Sequence, residues 1–358
     1  MALLDPPESV REIASRLEDA GFETWCVGGA VRDALLGHAH LDWDLATAAT
    51  PPQVRRLFKR TVPVGIDFGT IGVLDAHGVM HEVTTFRRDM KTDGRHAVVE
   101  FGASLDEDLA RRDYTINAIA YSASADTIRD PHGGREDLKR GVIRAVGNAG
   151  QRMTEDRLRA LRGIRFASRF GFRIDDDTWR AIVDSAPHLS RLSAERVKQE
   201  IEKTLDQVAL PSAAFALWKE SGAFSTLIPS LDGISPTALR ALDHLRRPFL
   251  PGRPQRRVAR LAALFAPADP ATVRTTLKDL RFSNSDTDWI VGLLERWRRL
   301  GGEMTAALLE SAPGDPVLRL WAAAAGRTRL APLLRLADAF WWAEREAGRP
   351  APSQSRIA

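Results

Sequence analysis

The chain has 358 residues, with 51 Lys plus Arg against 47 Asp plus Glu, so its formal net charge of +4 is only mildly basic. Seven of the cations are lysines, leaving 44 arginines whose planar forks suit phosphates and base edges, although a GC-rich genome yields the same excess. A hydrophobic share of 44% excludes a disordered chain, and the single Cys26 excludes a disulfide scaffold or a multi-thiolate metal site.

No uncharged apolar run reaches the roughly 18 to 20 residues of a membrane helix, and Met1 to Glu12 lacks a basic start followed by an apolar stretch. The expectation is a soluble cytoplasmic protein with no membrane partner and two or more structural units. In chain order, strand-like runs fall at Thr24 to Val27, Trp43 to Ala46, Thr61 to Val64, Thr70 to Leu74 and Val79 to Thr85. Val31 to Leu36 and Pro52 to Phe58 read as helices, and Cys26 reads as a buried strand residue. Turn chemistry at Gly28-Gly29, Gly37, Pro51-Pro52, Gly65, Asp93-Gly94 and Pro131 to Gly134 sets a compact α/β unit that ends near Gly150.

Beyond Thr154 the pattern is helical, with Leu158, Leu161, Ile164, Ala167 and Phe170 as one stripe and Val197, Ile201 and Leu205 as another. Nothing there reads as a sheet. Proline and glycine clusters at 248–254, 267–270 and 313–316 divide the rest into helical hairpins, and residues after Gly348 read as a frayed tail. The expected division is a head at 1–150, a helical neck at 151–206, a helical body and tail at 207–348 and a flexible terminus at 349–358.

Gly28-Gly29-Ala30-Val31-Arg32-Asp33 lies between a strand and a helix, where glycines let backbone amides approach a triphosphate and Arg32 adds a charge. A Gly-Gly pair alone is an ordinary tight turn. Asp42-Trp43-Asp44 follows. On a strand, residues i and i+2 share a face, so two carboxylates enter one site and repel unless a cation such as Mg²⁺ lies between them. A phosphate cradle followed by a metal-binding strand is a nucleotidyl-transfer arrangement.

The two segments together, Gly28-Gly29-x-Val31-Arg32-Asp33-x-Leu35-Leu36-Gly37 and Asp42-x-Asp44-Leu45-x-Thr47, resemble the first motif of bacterial-type tRNA nucleotidyltransferases, a family that also holds bacterial poly(A) polymerases. Four more blocks match in order: Glu82 to Arg87, Arg111 to Ala118, Asp130-Pro131 through Asp137-Leu138, and Glu155-Asp156-x-x-Arg159-x-x-Arg162-x-x-Arg165-Phe166. The resemblance implies an α+β fold: a nucleotidyltransferase α/β head followed by an all-helical neck, body and tail. It also implies Mg²⁺ on the catalytic pair Asp42 and Asp44, and tRNA, ATP and CTP as partners. Arg111 and Arg112 would clamp the incoming nucleotide, with Asp113 accepting from the ribose 2′-OH.

Spacing adds a base reader. Asp156 and Arg159 are neighbours on a helix surface, with Thr154 as the expected N-cap, and offer one acceptor and one forked donor. Cytosine and adenine match that pair, whereas guanine and uracil reverse it and leave both side chains mispaired. Arg162 falls between Asp156 and Arg165 on the helix, within reach of the phosphates. Helical geometry turns Arg165 away from Asp156, so the resemblance alone puts it at the nucleotide.

Glu82 is either a third carboxylate near the metals or the salt-bridge partner of Arg87 or Arg88. The stretch Arg87 to His96 reads as a mobile loop, which in the family accompanies addition of the terminal A; Ala97 departs from the usual proline there. Glu195-Arg196-x-x-x-Glu200 resembles a fifth motif and reads as structural, through an Arg196–Glu200 surface pair. Arg246, Arg247, Arg253, Arg256, Arg257 and Arg260 form either a tRNA-phosphate contact or a solvated helix face. After Ser190 the lone His244 is too little for an appended metal-dependent phosphohydrolase. The expected activity is addition or repair of the tRNA 3′-terminal CCA, with an A-adding specialist, a poly(A) polymerase and a non-catalytic RNA-binding module as the competing readings.

Overall fold

Short runs of β-branched and apolar residues assemble a seven-stranded sheet in the N-terminal part of the chain. The computed structural model describes residues 3–38, 42–92, 97–246, 256–312, 314–326 and 328–353, with backbone only at 89–92 and 97–99. Helix α1 (Glu8–Asp19) leads into β1 (Thr24–Val27), α2 (Gly29–Leu35), β2 (Asp44–Thr47), α3 (Pro51–Leu57), β3 (Thr61–Gly65), β4 (Thr70–Leu74) and β5 (Met80–Thr85). The hairpin β6 (Arg87–Thr92) and β7 (Ala97–Phe101) precedes α4 (Leu105–Ala110), β8 (Ala120–Ser122), β9 (Thr127–Arg129) and α5 (Gly134–Arg140). The sheet order is β3-β4-β5-β2-β1-β8-β9, antiparallel except for the parallel β2–β5 pair.

Register decides what each face carries. Cys26, Leu45, Val83 and Ile71 are cross-strand partners in one row, all buried on the face that α1 and α3 cover. Burying such an aliphatic side chain contributes about 1.5–3 kcal/mol. The neighbouring row, Ala120, Val27, Asp44, Glu82, Gly72 and Val62, points to the opposite face. At its β1 and β8 end that face is closed by α4, whose Leu105 and Leu109 pack with Val27, Ala46, Phe86, Ala118, Ala120 and Val146. At the β3 end Val62, Val64 and Met80 are exposed.

The chain divides into two compact units, residues 1–163 with 171–185, and residues 164–170 with 186–358. The first unit closes with β10 (Val142–Ile143), α6 (Ala149–Glu155), the start of α7 (Leu158–Phe170), β11 (Arg173–Ile174) and α8 (Asp176–Ser185). Two expectations change here. The pairing of β11 with β10 is a sheet element beyond Thr154, too short to show a period. Thr154 is inside α6, donating to the Gly150 carbonyl, because Asn148 already caps that helix by accepting from Gln151 N. Asp156 ends α6 in an extended conformation, and its Oδ1 accepts from Leu158 N to begin α7.

The second unit carries no strand among its described residues. It comprises the end of α7, then α9 (Ala194–Gln207), α10 (Pro211–Glu220), α11 (Ala223–Leu227), α12 (Pro236–His244), α13 (Arg256–Phe265), α14 (Pro270–Asp279), α15 (Asn284–Glu310), α16 (Pro316–Ala325) and α17 (Leu330–Glu346). Proline occupies the first turn of α10, α12, α14 and α16, where its missing N–H has no helical acceptor to lose. Phe215, Trp218 and Phe224 are fully buried and form a mutual ring cluster, with centroids 5.7 to 6.0 Å apart. Arg349 donates to Thr237 Oγ1, so the tail expected to fray is attached at its first residue.

Candidate functional site

The strand β1 runs into Gly28, whose φ of +77° is one that L side chains rarely adopt. A methyl group there would lie 3.1 Å from Arg112 Nη1 and 3.8 Å from Asp44 Oδ2, so the turn, the arginine and the carboxylate occupy one corner. Gly29 opens α2 beside them. Asp44 stands at the head of β2, with Val27 of β1 on one side and β5 on the other. The parallel register Leu45–Val83 puts Glu82 beside Asp44 on the same face.

Burial and the negative charges of Glu82 and Asp42 push the Asp44 carboxyl up to about 7 against the opposing pull of Arg112. Such a crowded carboxylate site is chemically suited to a divalent cation, which would relieve the repulsion that raises the pKa. Asp42 is exposed and precedes the strand, which begins at Asp44 and not at Trp43; the Trp43 side chain between them is buried. Among the described residues no group of three acidic, histidine or cysteine side chains closes on a single point. Glu82 has a place near the pair, whereas Arg88, one salt-bridge partner weighed for it, binds Glu100 and Glu107.

The arginines sort themselves by what they touch. Asp108 of α4, almost fully buried, accepts from Arg111 at 2.8 Å and from Arg112 at 3.2 Å. Those two charges outweigh the burial that would raise the Asp108 carboxyl, and its pKa is lowered. Arg112 Nη1 also reaches the Asn117 carbonyl at 3.5 Å, while its Nε is buried without a partner. That orphan donor belongs to the guanidinium whose Nη1 adjoins the Gly28 turn, and it has an unmet need for an acceptor.

Asp113 accepts from Asn117 Nδ2 at 2.9 Å and from Tyr114 N on one oxygen, and from Arg162 Nε at 2.8 Å on the other. Burial would raise its pKa, but Arg162 and these hydrogen bonds hold it down at about 2. Asn117 joins the set, because its Oδ1 accepts from Arg32 Nη1 at 2.6 Å. Arg32 differs from expectation. Its guanidinium is buried, with Nε and Nη2 on Asp33 and Nη1 on Asn117, so it braces α2 against the Thr115–Asn117 turn and offers no exposed charge to a phosphate.

At the start of α7, Arg159 donates to Glu155 at 2.6 Å, to the Arg152 carbonyl and to the Arg111 carbonyl at 2.9 Å. Its own carbonyl accepts from Tyr114 Oη. Asp156 stands in the extended junction before α7, where its carbonyl accepts from Arg159 N at 3.1 Å, and the fork of Arg159 is not presented open: it links the neck segment to the backbone that carries Arg112. Arg165 lies in the second unit with its side chain buried, ion-paired to Glu200 and donating to Gln207 Oε1 at 3.0 Å, so its charge is engaged within that unit. Glu200, expected on the surface, is buried at that pairing.

In the basic run, Arg260 is neither exposed nor on a solvated face: it is buried, and its guanidinium donates to the carbonyls of Leu205, Val208, Ala209 and Leu245 and so caps the C-terminus of α9. Arg256 donates to the Asp206 carbonyl, and Arg257 faces Glu202 at 3.6 Å. Arg247 and Arg253 lie outside the described residues, as does Asp93 to His96. The described residues on either side of it, Arg87–Thr92 and Ala97–Phe101, pair as β6 and β7. Asp108, Asn117 and Glu155 are the residues whose roles spacing did not reveal, although Asp108 sits three and four residues before its two arginines, a detectable helical signal. The Asp130 to Leu138 block is a brace: Asp130 accepts from Gly134 N and Arg135 N, and Asp137 from Thr115 Oγ1.

Residues 24–144 match the family described as the Poly A polymerase head domain, and residues 171–234 match one described as the probable RNA and SrmB-binding site of polymerase A. A CCA-adding enzyme of Leuconostoc mesenteroides is 50% identical over 195 residues, 54% of this chain and 48% of the relative, so the match spans about half that relative's length. A CCA-adding enzyme of Geobacillus kaustophilus is 36% identical over 372 residues, 96% of this chain and 90% of the relative. Among solved structures, the Bacillus stearothermophilus CCA-adding enzyme in complex with CTP is 33% identical with a TM-score of 0.75, over 96% of this chain and 78% of that one. The Thermotoga maritima CCA-adding enzyme complexed with tRNA has the same fold, with a TM-score of 0.72 at 22% identity over 94% and 80% of the two chains.

Proposed function

Because the chain belongs to the family of CCA-adding enzymes, we propose that it adds or repairs the 3′-terminal CCA of tRNA from CTP and ATP, releasing pyrophosphate without a nucleic-acid template. The observation that carries this reading is the corner where Asp44, crowded by Glu82 and Asp42, meets Arg112 and the Gly28 turn. Asp42 and Asp44 would hold Mg²⁺, with Glu82 alongside; bound there, it supplies activation of the RNA 3′-OH and neutralisation of the triphosphate. The protein's own part is position and charge.

The backbone at Gly28-Gly29 and the Arg112 guanidinium bind the triphosphate, the unpartnered Arg112 Nε receiving a phosphate oxygen. Asp113 accepts from the ribose 2′-OH, and Arg162, its more exposed partner, is the donor that yields or turns to the phosphates. Asp156 and Arg159 read the amine and ring nitrogen shared by cytosine and adenine, with Arg159 exchanging Glu155 for the base. Guanine and uracil leave both groups mispaired, which disfavours them by about 1–3 kcal/mol for each unmet buried group.

The test is incubation with tRNAs ending before CCA, after C and after CC, supplied with CTP and ATP separately and together. CMP addition to the first two and AMP addition to the third are expected. AMP addition confined to the CC-ended tRNA assigns an A-adding specialist instead, and long A tracts on unrelated RNA assign a poly(A) polymerase.

A further inference from the structure

In-line transfer puts the leaving pyrophosphate and the attacking 3′-OH on opposite sides of the reacting phosphorus. The register fixes which side is which. Asp44 has β1, ending in the Gly28 turn beside Arg112, on one flank and β5, β4 and β3 on the other. A triphosphate at Gly28 and Arg112 therefore leaves toward β1, and the RNA end must approach over β5.

What lies there is an apolar floor. The row continues from Asp44 through Glu82 to Gly72 and Val62, and Met80 and Val64 meet over Gly72: a methyl on that glycine would lie 2.7 Å from the Met80 sulfur and 3.0 Å from Val64 Cγ2. The register shift between Pro63 and Gly65 puts Val64 in a bulge. Val62, Val64 and Met80 are 38%, 43% and 40% exposed. Three strand intervals put Val62 roughly 14 Å from Asp44, within reach of the last unpaired nucleotides of an RNA end.

We infer that Val62, Val64 and Met80 form the seat of the RNA 3′ end, against which its last unpaired bases and riboses lay their apolar faces. The inference rests on the proposed nucleotidyl transfer and deepens it. Aliphatic and thioether groups have no hydrogen-bonding pattern with which to select a base. Such a floor suits a primer whose terminal nucleotide changes after each addition, whereas a base-reading contact would favour one stage over the others. A second copy of this chain fits the face less well, because β3 is the sheet edge and Pro63 removes an N–H from its middle.

The experiment is steady-state kinetics of Met80→Gln, Val64→Thr and the double variant, with tRNA ending before CCA and with CTP. All three positions of the floor are exposed, so folding is expected to persist, and circular dichroism checks it. The KM for tRNA should rise about tenfold in the double variant, a loss of apolar contact worth about 1.4 kcal/mol. The KM for CTP should stay within about twofold. As a control, Leu3→Gln, an exposed apolar residue ahead of α1, should change neither. A second measurement does not depend on the variants: tRNA carrying 4-thiouridine at its 3′ end should photocrosslink to the wild-type peptide spanning Thr61 to Met80. An unchanged KM for tRNA, crosslinks confined to other peptides, or variants whose only effect is a changed sedimentation coefficient would overturn the seat. A wild-type protein that incorporates neither CMP nor AMP sinks the proposed reaction itself, and the seat with it.

Discussion

Asp44 illustrates how a residue can act against stability for the sake of a site. Its folded pKa of about 7 stands above the ordinary carboxylate value, so the stability it contributes is complete at acid pH and is lost as pH rises through 7. Asp44→Asn should thus abolish incorporation yet raise the thermal midpoint at pH 8 in the presence of EDTA, with no gain at pH 4. Asp113 has the opposite sign: its pKa of about 2 makes its contribution present above the usual carboxylate range and lost only as pH falls through 2. Arg162→Met removes the partner of that buried charge and should cost about 2 kcal/mol in urea unfolding at pH 7, less than a fully buried pair because Arg162 is partly exposed. Asn117→Ala releases both Arg32 and Asp113, and a tenfold or larger loss of ribonucleotide over deoxyribonucleotide preference, with a smaller change in the KM for RNA, is expected of competition assays. The carboxylates and arginines of the site were legible as residue types at a spacing. Their partners were not, since nothing in the interval between Arg165 and Glu200 announces that they meet.

At the scale of elements, strands with a full alternation were readable: Thr24–Val27 and Thr70–Leu74 fall where apolar and β-branched residues put them, and β5 lies within one residue of its expected start. The pieces of two or three residues, β8 to β11, have no period to detect, and their pairing comes from tertiary contact. Polar β6 failed for a different reason: Arg87 to Thr92 has a turn-like composition, and its strand geometry comes with the pairing to β7. The Gly28 turn gives an element-scale prediction. Gly28→Ala would strain a left-handed backbone and press on Arg112, so the KM for CTP should rise at least tenfold while the KM for tRNA moves little. Arg260 joins α13 to the end of α9, and Arg260→Met should lower stability by about 2 kcal/mol by leaving several carbonyls without donors.

For the molecule as a whole, the arginine excess acquires a division of labour. Arg32, Arg111, Arg165 and Arg260 serve carboxylates and carbonyls inside the protein, and the 47 acidic residues hold the net charge at +4 despite 44 arginines. The dependence of tRNA binding on salt should accordingly be shallow, with a log–log slope no steeper than about −4, readable by filter binding between low and physiological ionic strength. The lone thiol offers a way to watch the same molecule breathe. Cys26 is buried in β1, two residues before the Gly28 turn, and burial, reinforced by the charge of Glu18, pushes its pKa up to about 12. A thiol reagent can reach it only when that strand opens, so its labelling rate is a clock for excursions of the catalytic sheet. With no second sulfhydryl in the sequence to confuse the signal, the slowing of that clock by CTP would measure how far substrate holds the sheet shut.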